Sequence, residues 1–451
     1  MRPSRRRAHP RQLTAALCGA AALVTWSLAA GQANTATQPD VPVAPEAVKQ
    51  LPAPTPPPPK VPSGLWRWLN PSTAPFIPVP EIAVDPNSGT TLGLLPTWLH
   101  TDDKHEISRI IAPDILHNPF FGYGGHMRIY EYPSADQQWS LVVGAKERVE
   151  RELDAEFQTG RQRLQRWSIN TSLVYNRDGS PRFFGIGNQS PAIAETNYTL
   201  EEELLQLQVG YNLTHAWQLQ YTGRLIEADV LPGTLSGIAS IQRRFATVLG
   251  LGTNSELLNR VAIMYDTRDD LTVPSRGMAW VVYGGMAGRH AYFDNSLYTE
   301  AGIDGRAFWP LYPNLVVASH ISLRYLPSAH QVPFWALSTI GGGESVVGGE
   351  QPLRGYGEGR YYDRDSFSAT VELRRRAFSF NAVSTWVDIE IAPFVDIGRV
   401  FAHADVSPLS HLHTVAGVGF RGIARPFVVG YVDMGYGSEG LAVFTGINYP
   451  F

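Results

Sequence analysis

Apolar and polar residues alternate with a period of two along most of this chain. Trp167, Ile169, Thr171, Leu173 and Tyr175 alternate with Ser168, Asn170, Ser172 and Val174. Leu205, Leu207, Val209, Tyr211 and Leu213 alternate with Gln206, Gln208, Gly210 and Asn212. The same holds for Trp217, Leu219, Tyr221 and Leu225 against Gln218, Gln220, Thr222 and Arg224. Further on, Leu315, Val317, Ile321, Leu323 and Tyr325 alternate with Val316, Ala318, His320, Ser322 and Arg324. Successive side chains of a strand point to opposite faces, so each segment predicts a strand with one greasy and one polar face. Gln, Asn and Arg recur on the polar face, which a dry barrel packed with apolar side chains excludes. A barrel with lipid outside and water inside accepts them. The expected fold is all-β: a transmembrane antiparallel β-barrel of about 16 strands. Its strands begin near Thr90, His105, Gly122, Gln138, Gln165, Glu202, Trp217, Leu258, Gly277, Leu297, Leu315, Ser366, Trp386, His413, Phe427 and Leu441.

At the C-terminus Leu441, Val443, Thr445, Ile447, Tyr449 and Phe451 share one face of a strand that ends on an aromatic residue. Termini usually fray into water, so this ending favours a sheet that closes on its last strand. The spacing of Gly446, Tyr449 and Phe451 resembles the C-terminal insertion signal of bacterial outer-membrane proteins. An even strand count puts both chain ends on the periplasmic side. The long connections 177–201, 327–365 and 401–412 then face outside, while 149–164 is long for a periplasmic turn.

Composition supports the barrel. Charged residues are only 17 %, and Gly (42), Tyr (19), Phe (19) and Trp (11) suit glycine-rich turns and aromatic girdles. The mean hydropathy of −0.13 resembles a soluble protein, because lumen-facing polar residues cancel the lipid-facing ones. A formal charge of −4 offers no footprint for nucleic acid. Arg2, Arg5, Arg6, Arg7 and Arg11 precede an apolar run from Leu13 to Ala30, so residues 1–33 are expected to be a signal peptide. The single cysteine, Cys18, would leave with it. Residues 34–75 read as a Pro-rich periplasmic linker carrying the aromatic patch Trp66, Trp68 and Leu69, and residues 76–451 as the barrel.

Catalytic chemistry is not expected. The chain contains no nucleophile elbow, zinc-type His-Glu-x-x-His, phosphate-binding loop or paired cysteines, and no cofactor or metal is implied. His403, His411 and His413 read as solvated loop histidines, and His320 and Ser322 as lumen polar residues.

Several segments are recognisable in order. Tyr265-Asp266-Thr267-Arg268-Asp269 is followed by Pro274 and Gly277, and Gly341-Gly342-Gly343 by Leu353-Arg354-Gly355-Tyr356. Then come Val371-Glu372-Leu373-Arg374, Phe394-Val395-Asp396-Ile397-Gly398 and Gly417-Val418-Gly419-Phe420-Arg421, with Arg182-Phe183-Phe184-Gly185-Ile186-Gly187-Asn188 earlier. The set resembles the BamA/TamA-type outer-membrane assembly barrels, the bacterial surface antigen superfamily. The resemblance implies that the loop bearing Arg354, Gly355 and Tyr356 folds back into the lumen. By residue pattern alone Glu372 and Asp396 point inward, as solvated charges or as a clamp. The resemblance implies the clamp, in which both carboxylates hold Arg354.

The resemblance also implies a function in outer-membrane biogenesis, the insertion or translocation of proteins; the alternative is a gated pore for small solutes or lipids. The expected location is the bacterial outer membrane. Expected partners are its lipid, the machinery that inserts the barrel itself, and a separate periplasmic partner or lipoprotein. Members of the family carry POTRA domains of roughly 75 residues each. Only the Pro-rich stretch lies before the first strand here, so a member reduced to its barrel is expected. Its seam, between the strand 90–99 and the strand 441–451, would open laterally, and Pro450 would remove a ladder donor there.

Overall fold

The computed structural model describes residues 77–102, 107–288, 296–342, 353–382, 385–403, 407–424 and 428–447. The expected signal peptide and linker, with Tyr449, Pro450 and Phe451, lie outside the described residues. The described chain forms a closed antiparallel barrel of 18 strands. In order these are β1 Ile77–Asp85, β2 Gly89–Thr101, β3 in two segments (Ile107–Pro113 and Ile115–Asn118), β4 Gly122–Ser134, β5 Gln137–Lys146 and β6 Arg151–Thr159. They continue with β7 Trp167–Asp178, β8 Thr196–Asn212, β9 Trp217–Pro232, β10 Gly252–Asp266, β11 Gly277–Ala287 and β12 Leu297–Tyr312. The last six are β13 Leu315–Gln331, β14 Asp365–Ala382, β15 Thr385–Phe401, β16 His413–Ala424, β17 Val428–Gly437 and β18 Gly440–Ile447. Each strand pairs with its sequence neighbours, and β1 meets β18 to close the sheet.

Two strands add to the sixteen read from the sequence. The first, β1, carries Pro78 and Pro80, which lack the N–H a strand interior needs. Proline is tolerated on a strand with a weakly paired edge. One edge of β1 pairs with β2 from Ile77↔Thr97 to Asp85↔Gly89, and among the described residues the other pairs with β18 at Val84↔Val443. The seam therefore lies between β1 and β18, which corrects the seam expected at residues 90–99. The second, β6, fills the long connection 149–164. Leu153, Ala155 and Phe157 alternate with Glu152, Asp154 and Glu156, and the row of acids conceals an ordinary barrel strand.

The outer wall is apolar. Val261, Val282 and Val371 are each more than half exposed and face where lipid would lie. Inward positions carry ion pairs, Arg224 to Glu256 at 2.8 Å, Arg260 to Glu300 at 2.7 Å and Arg324 to Glu300 at 3.0 Å, and a hydrogen bond between His320 and Asp304 at 2.8 Å. Burying a charge is tolerable only when it is paired, and this lumen obeys that rule through a ladder of cross-strand contacts. At the long-loop end, Phe183, Tyr198, Ile241, Phe334 and Tyr362 pack into one apolar cluster. It binds the connections 179–195, 233–251 and 332–364 to one another, with Phe183 and Phe334 rings 4.8 Å apart. Among the described residues no helix is long and apolar enough to cross a membrane.

Candidate functional site

The site is built around one loop side chain inside the barrel. The connection between β13 and β14 turns at Leu353–Tyr356, where the Tyr356 N–H donates to the Leu353 carbonyl at 3.0 Å. Leu353 sits at φ +77°, in the left-handed region that a branched side chain rarely adopts. This twist aims two successive amides at one acceptor: the Leu353 and Arg354 N–H groups each donate to Asp396 Oδ2 at 3.1 Å. The Leu353 side chain is fully buried with Tyr356, Phe394, Val400 and Val415, which anchors the turn.

Arg354 then reaches a set of carboxylates from three strands. Its Nη2 donates to Asp396 Oδ1 at 2.8 Å and its Nε to Asp396 Oδ2 at 3.1 Å. Its Nη1 donates to Glu372 Oε1 at 2.6 Å and to Asp433 Oδ2 at 2.7 Å. The guanidinium lies 3.5 Å from the centre of the Phe394 ring, a cation–π contact on the face not used for hydrogen bonding. Two further arginines balance the acids. Arg374 Nε donates to Glu372 Oε2 at 2.8 Å, and Arg421 Nη2 to Glu372 Oε1 at 2.8 Å and Asp433 Oδ1 at 3.3 Å. Glu372, Asp396 and Asp433 are fully buried, and Arg354 is 3 % exposed. Burial alone would favour the uncharged guanidine, but Asp396 and Glu372 outweigh it and hold the Arg354 pKa well above its ordinary value. Three guanidiniums and three carboxylates meet in this cluster, with Glu390 Oε1 3.9 Å from Arg421 Nη1 at its edge, an arrangement that suits holding a loop.

Glycines let backbone and cluster approach. A Cβ on Gly435 would stand 2.2 Å from the Arg354 carbonyl oxygen, and one on Gly355 2.7 Å from the Gly437 nitrogen. A Cβ on Gly398 would meet the Phe367 carbonyl oxygen at 3.1 Å and Leu353 at 3.4 Å.

The structure thus brings Arg354, Gly355, Tyr356, Glu372, Phe394, Asp396 and Gly398 together. It places Tyr265, Asp266, Arg268 and Asp269 elsewhere, where β10 ends at the short turns. Asp266 is almost fully buried and accepts from Arg163 at 3.0 Å and from Arg268 Nη2 at 2.8 Å. Arg163 also donates to the His215 carbonyl at 3.1 Å, so Asp266 ties three neighbouring turns into one rim. The Tyr265 ring packs against Trp217 at a tilt of 45° with centroids 4.8 Å apart. Asp269 accepts from the Ser275 and Arg276 N–H groups at 2.9 and 3.1 Å. Partial burial would raise its pKa, but the Ser275 and Arg276 hydrogen bonds outweigh this and lower it. Gly446 pairs with Tyr431 in the last strand.

Sequence reasoning missed Asp433, Arg374 and Arg421 as members of the cluster. A parity signal existed for Asp433, which sits between Val432 and Met434 on β17. Nothing local told that the strand position faces Arg354.

The Omp85 superfamily domain matches residues 137–421. No curated protein matches the chain. Among solved structures the chain is similar to BamA from Haemophilus ducreyi lacking POTRA domains 1–3, with 12 % identity, 82 % of this chain and 75 % of that chain covered and a TM-score of 0.47. It is also similar to CdiB from Escherichia coli, at 10 % identity over 85 % and 69 % of the two chains with a TM-score of 0.43. A third likeness is Wzi, an outer-membrane carbohydrate-binding β-barrel involved in group 1 capsule assembly in Escherichia coli, at 11 % identity, 83 % and 81 % coverage and a TM-score of 0.35. The superfamily match takes in more than half of the residues and includes the strands that hold Glu372, Asp396 and Arg421, so this chain belongs to the Omp85 superfamily of bacterial outer-membrane barrels.

Proposed function

We propose that this barrel assists the insertion or translocation of polypeptides at the outer membrane, and that the seam between β1 and β18 is where it opens. One observation carries the reading. Among the described residues the two strands share a single paired position, Val84↔Val443, whereas β1 shares nine with β2 and β18 eight with β17. Unpaired backbone groups facing hydrocarbon cost several kcal/mol each. Such an edge is the natural acceptor for another strand, since main-chain hydrogen bonds supply affinity without regard to side-chain sequence. In this reading the Arg354 cluster keeps its loop seated in the lumen. Membership in the Omp85 superfamily agrees with a role in assembly.

Depleting the protein in its host and quantifying the outer-membrane proteome against lipid composition tests the reading. Selective loss of other barrels or secreted proteins is the expected outcome. An intact proteome with altered lipid content or solute uptake would instead favour a gated pore. A disulfide across the seam, from Val84→Cys with Val443→Cys, should abolish the activity; full activity of the oxidised protein would remove lateral opening.

A further inference from the structure

The seam pairing among the described residues, Val84↔Val443, lies at the long-loop end, and both hairpins that flank it are fixed there. The β1–β2 turn contains Asn87, which is buried. Its Nδ2 donates to the Glu358 carbonyl at 2.8 Å, and its own carbonyl accepts from Arg182 Nη2. The β17–β18 turn contains Ser438 and Glu439. Arg360 Nε donates to Glu439 Oε1 and Oε2 at 2.8 and 2.9 Å, and the Tyr356 hydroxyl lies 2.8 Å from Ser438 Oγ. Glu358 and Arg360 are two residues apart in one loop, and they grip opposite sides of the seam.

The backbone between them is shaped for this. Gly359 adopts φ +65°, which lets the chain change direction from one grip to the next. A Cβ on Gly357 would stand 2.3 Å from Asn87 Oδ1, so the loop passes directly against the β1–β2 turn. Gly355 and Gly437 allow equally close passage along β17. Neither end of the loop segment is loose. Arg354 roots it in the charged cluster, and Arg360 is fixed by Ser190 Oγ and the Ser190 carbonyl at 3.1 and 3.0 Å. The Arg360 guanidinium is flanked by the Phe184 and Tyr361 rings, with centroids 4.0 and 4.3 Å away.

We infer that residues 354–360 form a clasp that holds the β1–β2 and β17–β18 turns together from inside the barrel and keeps the seam shut at that end. The forked Arg360–Glu439 pair is charge-assisted and is the firmer grip. The Asn87–Glu358 hydrogen bond is the weaker one. A single loop bridges both sides, so weakening its hold on either turn loosens the seam. The clasp rests on the seam reading above, but its test involves no cargo.

The test uses full-length protein carrying Val84→Cys and Val443→Cys, with the cross-linked fraction measured after a fixed mild oxidation. Heat-dependent gel migration reports that each variant is folded. Glu439→Ala should lower cross-linking by about threefold and Asn87→Ala by somewhat less, and the two together by no more than Glu439→Ala alone, because releasing one side already opens the bridge. Folded single variants that cross-link as well as the parent would overturn the clasp. A double variant whose loss is the product of the singles would also overturn it, since that describes two independent contacts. Tyr356→Phe, which deletes one hydroxyl, serves if the alanine variants do not fold, and it should lower cross-linking by less than twofold; no change would count against the clasp. A clasp that holds while depletion leaves the proteome intact would separate this inference from the assembly role.

Discussion

The join between β8 and β9 and the join between β18 and β1 solve one problem in different ways. The first pairs 15 positions in unbroken register from Tyr198↔Pro232 to Asn212↔Gln218. Among the described residues the second pairs one. A continuous ladder satisfies the backbone by itself, so the wall around β8 and β9 needs no loop to keep it closed. Among the described residues the seam has no such ladder, and its neighbouring turns are held by side chains arriving from a loop that is itself anchored by buried charge. Stability along the wall is local and repeated, whereas at the seam it is delegated.

The largest break in this contrast should come from Arg354→Ala. It would leave Glu372, Asp396 and Asp433 fully buried with one of three guanidiniums gone. Removing one partner of a buried ionic group costs about 3–5 kcal/mol. Loss of the folded, heat-modifiable gel species at markedly lower temperature or denaturant would show it. Arg354→Lys should recover part of the loss, since an ammonium keeps the charge but cannot make the forked contact to Asp396.

One substitution made in both regions should sharpen the comparison. Gly435→Ala puts a methyl 2.2 Å from the Arg354 carbonyl oxygen, a backbone atom that cannot swing aside. Overpacking of this kind costs about 1–3 kcal/mol. Gly223→Ala on β9 meets only the Tyr221 ring end, at 3.5 Å, which is ordinary contact. Its effect should stay within about 0.5 kcal/mol. Urea unfolding of both variants checks the pair, and equal losses would mean that loop and wall contribute alike.

The smallest effect concerns the short-turn rim. The lowered Asp269 pKa means that this group stabilises the fold above its unfolded value near 3.8. The contribution is lost as pH falls through the lower folded value. Asp269→Asn should therefore flatten stability below about pH 4 and lower it modestly at neutral pH, because Asn still accepts from the Ser275 and Arg276 amides but lacks the charge that strengthens those bonds. Thermal unfolding against pH measures this, and seam cross-linking should not respond.

Much of the barrel was legible in the sequence. The runs around Trp167, Leu205, Trp217 and Leu315 gave their faces directly, because a strand's two-residue period is a property of the local backbone. The strand Arg151–Thr159 was hidden because its lumen face is acidic, and Ile77–Asp85 because two prolines interrupt it. Both are ordinary consequences of position: one faces water inside the barrel and the other borders the sparsely paired seam. In the cluster, Arg354, Glu372 and Asp396 were reachable through the family resemblance, whereas Asp433 lies on a strand whose own pattern says only that the residue points inward.

By itself the sequence determined the fold class and the inward or outward face of most strand residues, and the family resemblance of its Arg-Gly-Tyr motif pointed to the buried loop arginine. Each of these depends on short-range alternation or on a compact motif. Only the tertiary structure decided which strands close the barrel and what holds the seam. Asn87 meets Glu358 across 271 positions and Arg360 meets Glu439 across 79. Contacts of such separation arise only when ring closure brings the first and last hairpins to the same edge, and no local pattern along the chain encodes that meeting.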